Sequence, residues 1–175
     1  VFMYLGRLNR DKGVADLWRA FAEVAPTDGR AHLFVVGPNE DGAEDAIAEL
    51  SQRFPLRVHR TGFTPAPEQY LSAADVLCLP SYREGFPNVP LQAAAAGVPT
   101  LGSAINGITD AVEDGVTGVL HSPGDVGGIA SGMRLLLADP GLRRRLGDAA
   151  RDRAQTRFAE SLLTAAFDAI YRSVL

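Results

Sequence analysis

Val76-Leu77-Cys78-Leu79-Pro80-Ser81-Tyr82-Arg83-Glu84-Gly85-Phe86-Pro87-Asn88-Val89-Pro90-Leu91-Gln92, followed by four alanines and Gly97, is the stretch that decides the fold. Four consecutive apolar residues with no polar alternation describe a strand covered on both faces. A loop follows directly, and then an alanine-rich helix over residues 89–96. Pro87 and Pro90 suit a helix start, where a missing N–H is no loss, and Gly97 suits the position just past its end. The unit is therefore strand, loop, helix, with Glu84 placed in the loop at the strand's carboxyl end.

Outward from this unit the same alternation recurs. Strands are expected over residues 1–5, 32–36, 57–59, 76–79, 99–101 and 118–120, and helices over 14–24, 43–54, 68–72 and 89–96. Buried strands joined by helices read as a Rossmann-like, doubly wound parallel sheet of the α/β class. After Gly118 the pattern turns helical, over 125–138, 141–155 and 160–174, with Asp139-Pro140 as a stop and restart. Leu162, Ala166, Ile170 and Val174 recur every four residues along the last of these, and core packing is expected for most of that stripe, the alternative being an exposed apolar patch with Leu162, Phe167 and Ile170. At 175 residues the chain suits one domain with a helical tail.

Composition narrows the function. Apolar residues make up 46% and charged residues 22%, with a formal net charge of -4, so no general attraction to nucleic acid is expected. Cys78 sits in the apolar strand and reads as a small core hydrophobe, which suits a reducing, cytoplasmic compartment. His32, His59 and His121 are far apart in sequence with no ligand spacing, and no metal is expected. The chain opens on a strand without a starting methionine, which reads as an excised domain whose N-terminal partner is missing.

In an open parallel sheet, ligands gather outside the carboxyl ends of the strands. Two loops there carry candidate chemistry. After the first strand comes Gly6-Arg7-Leu8-Asn9-Arg10-Asp11-Lys12-Gly13. Glycine lets a ligand approach the backbone, Arg7 can grip phosphate oxygens bidentately and Lys12 adds a mobile point charge. The alternative is a solvated loop with three ordinary cations, of which Arg10, beside Asp11, is the plainest bystander. The loop after the second strand, from Gly37 to Gly42, reads as turn-rich and receives no catalytic role. In the loop of the deciding stretch, Glu84 could face sugar hydroxyls while amides near Asn88 and Val89 form an anion site. Gln92 lies about one turn inside the helix. The plainer alternative for Glu84 is a helix cap or an ion pair with Arg83.

The ordered set Gly6-Arg7-Leu8-x3-Lys12-Gly13, Pro80-Ser81-x2-Glu84-Gly85-Phe86-Pro87, Ala93 with Gly97, and Asp114-Gly115-x-Thr117-Gly118 resembles the family 4 retaining glycosyltransferases. The resemblance spans nearly the whole chain. It implies one half of a GT-B fold, residues 1–175 being the C-terminal, nucleotide-sugar-binding domain and the absent N-terminal domain holding the acceptor. By the same resemblance Arg7 and Lys12 contact the donor diphosphate and Glu84 faces the donor sugar, which makes these three the catalytic candidates. Gly6, Gly85, Phe86, Pro87, Asn88 and Val89 complete the donor-binding set with Gln92. The family places a second glutamate where Gln92 stands, so a ribose contact there keeps its hydrogen bonds but loses its charge. Gln92 also keeps open a non-catalytic sugar-nucleotide sensor.

The wording around residues 81–89, with Asn106-Gly107-Ile108 and Asp110-Ala111-Val112 downstream, is most similar to bacterial surface-polysaccharide transferases. That implies UDP-linked donors, saccharide or lipid-linked acceptors, and room for peripheral membrane association of the intact enzyme. A GT-B epimerase shares the fold without using an acceptor. An NAD-dependent dehydrogenase is disfavoured, because the first loop lacks G-x-G-x-x-G. No cofactor is implied, and no D-x-D motif is present to hold a metal.

Overall fold

A computed structural model describes residues 1–40, 44–159, 161, 164, 167, 168 and 170–172. Its centre is a six-stranded sheet in the order β3-β2-β1-β4-β5-β6. The strands are β1 (Phe2–Leu5), β2 (Leu33–Val36), β3 (Val58–Thr61), β4 (Val76–Leu79), β5 (Thr100–Ser103) and β6 (Gly118–His121), every pairing parallel. Helices α1 (Val14–Val24), α2 (Glu44–Arg53), α3 (Pro67–Leu71), α4 (Asn88–Ala95), α5 (Ile108–Ala111), α6 (Val126–Ala138) and α7 (Pro140–Arg157) complete it.

The continuous apolar runs are explained by two cores. Phe2, Tyr4, Leu33, Val35, Val76 and Cys78 pack under α1, α2 and α6. Their neighbours Met3, Leu5, Val36 and Leu77 point the other way, toward Leu71 and Ala93. Period-two alternation with apolar groups on both sides leaves no polar position to betray it. Cys78 lies in the first core, 1% exposed, and burial pushes its thiol up to about 12.

The sheet's order reverses between β1 and β4. Their carboxyl ends therefore stand side by side, and the loops that leave them flank one crevice. The loop after β1 tightens into a 3-10 turn over Arg10–Lys12, which Asn9 caps by accepting from the Lys12 amide at 3.2 Å. Gly13 then takes a left-handed φ of 64°, and a Cβ there would lie 2.0 Å from the Pro80 carbonyl. The glycine thus allows close contact between the two loops. Gly107, after β5, is another such place: a Cβ would lie 1.8 Å from the Gly85 carbonyl.

One alanine of α4, Ala94, packs against α7. Ala94, Ala150 and Ala154 form a small-residue seam, Gly147 packs on the Gly97 carbonyl, and Arg151 donates to the Ala96 carbonyl at 3.2 Å. Asp139 caps α7 through the Leu142 amide at 2.8 Å, as the Asp139-Pro140 restart suggests.

Several boundaries move. β3 runs through Thr61, two residues beyond the expected end, and α5 is one turn too short to show a period. Core packing of the C-terminal stripe does not hold where it can be followed: Ile170 is 60% exposed, beside exposed Phe167 and Tyr171. Leu162, Ala166 and Val174 lie outside the described residues. His32 and His59, remote in sequence, are brought together by β2–β3 pairing, with ring centroids 5.8 Å apart.

Candidate functional site

The two flanking loops meet through their side chains. Lys12, at the end of the 3-10 turn, donates to Glu84 Oε1 at 2.7 Å, and Ser81 Oγ donates to the same oxygen at 2.8 Å. Ser81 is fully buried, directly after β4, so its hydroxyl fixes the carboxylate from below. Glu84 consequently neither caps α4 nor pairs with Arg83. Arg83 pairs instead with Asp11 at 2.6 Å, which also removes Asp11 as the partner expected for Arg10. The Tyr82 amide donates to the Asp11 carbonyl at 2.8 Å, and the Tyr82 hydroxyl to Asp16 at 2.5 Å. Loop β4 is thereby stapled to the start of α1.

Arg7 lies on the same loop as Lys12, nearer β1. Its carbonyl accepts from the Tyr4 hydroxyl at 2.5 Å, and its guanidinium reaches Glu40 at 3.3 Å. Tyr4 is buried, and its phenol is pushed up first by that burial and then by the carboxylate of Glu84. It is held as a neutral donor for the loop. Beside Arg7 opens a cavity of about 380 Å³, lined by Leu5, Gly6, Arg7, Val36, Gly37, Pro38, Phe63, Thr64, Pro67, Val89 and Gln92. A largely apolar slot with a guanidinium at its rim suits a flat heterocycle joined to an anion.

Gly6, Arg7, Val89 and Gln92 therefore share the cavity, while Lys12 and Glu84 are not among its lining residues and join the loops after β1 and β4. Gly85 and Pro87 lie under Gly107. Phe86 is half exposed, with its ring 5.7 Å from that of Phe158. The helix α4 starts at Asn88 after Pro87 with no side-chain cap, which leaves its first amides for a ligand. Arg10 is exposed on its turn.

Glu40, Phe63, Thr64 and Pro67 were not expected here. Glu40, Phe63 and Thr64 come from the loops after β2 and β3, and Pro67 starts α3. The available signal was Phe63, a large apolar residue in a loop beside Gly62 that is 78% exposed. No group of three or more metal-ligating side chains is present among the described residues.

Comparison with known proteins agrees with this architecture. The family model for glycosyl transferases group 1 matches residues 1–153, and the chain belongs to that family. It is 29% identical over its whole length to the capsular polysaccharide biosynthesis glycosyltransferase CapM of Staphylococcus aureus, covering 46% of that protein. It is 36% identical to a D-inositol 3-phosphate glycosyltransferase of Kribbella flavida, over 89% of this chain and 39% of that one. The HepE protein of Anabaena, solved in complex with UDP, superposes with a TM-score of 0.87 at 25% identity, over 98% of this chain and 48% of that chain. The chain thus spans less than half the length of these relatives. No helix among the described residues is long and apolar enough to cross a membrane.

Proposed function

We propose that this chain is the donor-binding, C-terminal domain of a two-domain retaining glycosyltransferase. It would hold a nucleoside diphosphate sugar, UDP-linked, whose glycosyl group passes to a saccharide or lipid-linked acceptor in bacterial polysaccharide synthesis. The observation that carries this is the convergence of Arg7, Lys12, Glu84 and the uncapped start of α4 beside a nucleoside-sized cavity. The relatives add support: HepE was solved with UDP bound, and CapM is named for capsular polysaccharide biosynthesis. The acceptor site would belong on the other domain.

The chemistry follows from charge. The bond between the anomeric carbon and a phosphate oxygen breaks, and its electron pair leaves with the diphosphate. The acceptor hydroxyl bonds to the same carbon and gives up its proton to the diphosphate or to water. Arg7, Lys12 and the α4 amides stabilise the leaving charge, which makes a metal unnecessary. Glu84, fixed by Ser81, orients the sugar. With its acceptor half absent, the domain alone would be inactive, and the intact enzyme would work in the cytoplasm, at the inner face of the membrane.

Thermal unfolding with a panel of UDP-, GDP- and ADP-sugars tests the reading, since stabilisation follows occupancy of the folded state. The largest shift is expected with UDP-sugars. No shift with any of the three would refute donor binding.

A further inference from the structure

Building on the donor-site reading, the geometry points to Glu40 as a charge-discriminating residue that weakens the hold on the nucleoside diphosphate product relative to the nucleotide-sugar donor. The carboxylate is tied in place independently of Arg7. The Leu8 amide donates to the Pro38 carbonyl at 2.9 Å and the Glu40 amide to the Leu8 carbonyl at 3.0 Å, so the loops after β1 and β2 run as a short ladder. Asn9 Nδ2 donates to Glu40 Oε2 at 3.2 Å, while Asn9 Oδ1 is occupied by the Lys12 amide. Arg7 meets the same Oε2 through one long contact at 3.3 Å and is 62% exposed.

When a diphosphate takes the Arg7 fork, the guanidinium can turn to it and the carboxylate cannot follow. A fixed negative charge then stands beside a polyanion. Cleavage of the sugar–phosphate bond leaves the nucleoside diphosphate with one more negative charge than the donor had. Glu40 therefore repels the product more than the substrate. At a separation of one side-chain length in a solvent-accessible crevice, the repulsion amounts to about two- to threefold in affinity for each added unit of charge.

The test is a calorimetric titration of this chain, wild type, Glu40→Gln and Glu40→Asp, with UDP and with UDP-glucose at low and at physiological salt. In Glu40→Gln both ligands should tighten, UDP more, moving their affinity ratio about two- to threefold toward UDP, with the change shrinking as salt rises. Glu40→Asp keeps the charge and should keep the wild-type ratio, which separates charge from loop geometry. An unchanged ratio in Glu40→Gln, or equal weakening of both ligands, overturns the role of Glu40 and leaves the donor site standing. Wild-type protein that binds neither ligand overturns both.

Discussion

The crevice holds two ion pairs of the same chemistry in different surroundings. Lys12 and Glu84 are 18% and 9% exposed and lie 2.7 Å apart, with Ser81 completing the carboxylate's shell. Arg7 and Glu40 are 62% and 39% exposed and touch at 3.3 Å. Water screens the second pair, so its net contribution to folding lies near zero to ~1 kcal/mol. The first pair is shielded, and loss of one partner strands a charge. The Lys12–Glu84 pair is thus part of the fold, while Arg7 is a surface charge free to meet a ligand.

That contrast can be broken experimentally. The largest effect is expected for Lys12→Ala, which leaves Glu84 unpaired. Stability should fall by about 2–3 kcal/mol in a urea titration, and turnover of the intact two-domain enzyme should drop sharply. Near wild-type stability and activity together would remove the distinction between the two pairs. Ser81→Ala should cost about 1 kcal/mol, the worth of one buried hydrogen bond, and should lower donor affinity through a less constrained Glu84. The smallest effect on folding is expected for Arg7→Ala. Its unfolding midpoint should stay within about 0.5 kcal/mol of wild type while UDP affinity falls. A large loss of stability there would mean that the Glu40 contact holds the loop rather than waiting on a ligand.

Most of the architecture was legible because it is local. The strand at residues 76–79 and the helix at 14–24 are found where the apolar run and the helical pattern place them. Arg7, Lys12 and Glu84 could be placed at one edge of the sheet beforehand, since a parallel sheet sends both of their loops there, while their roles toward a donor came only from the family resemblance. Glu40 and Thr64 were not legible there, since they come in only because β2 lies beside β1 and β3 beside β2. Nor were the partners of the charges: Arg83 is next to Glu84 in sequence, yet it reaches Asp11 while Glu84 takes Lys12. The close approach of Gly13 to Pro80, a contact between two loops, has no signature in either loop alone.

By itself, the sequence determined the alternation of strands and helices, the two-sided burial of the sheet and the gathering of cations at one edge. Each of these follows from periodicity and from the direction in which a parallel sheet sends its loops. Tertiary structure decided which carboxylate meets which cation, which loops wall the cavity, and which alanine of α4 packs against α7. Those depend on distances across the fold, where burial and side-chain reach select one partner among several that sequence neighbourhood leaves equal.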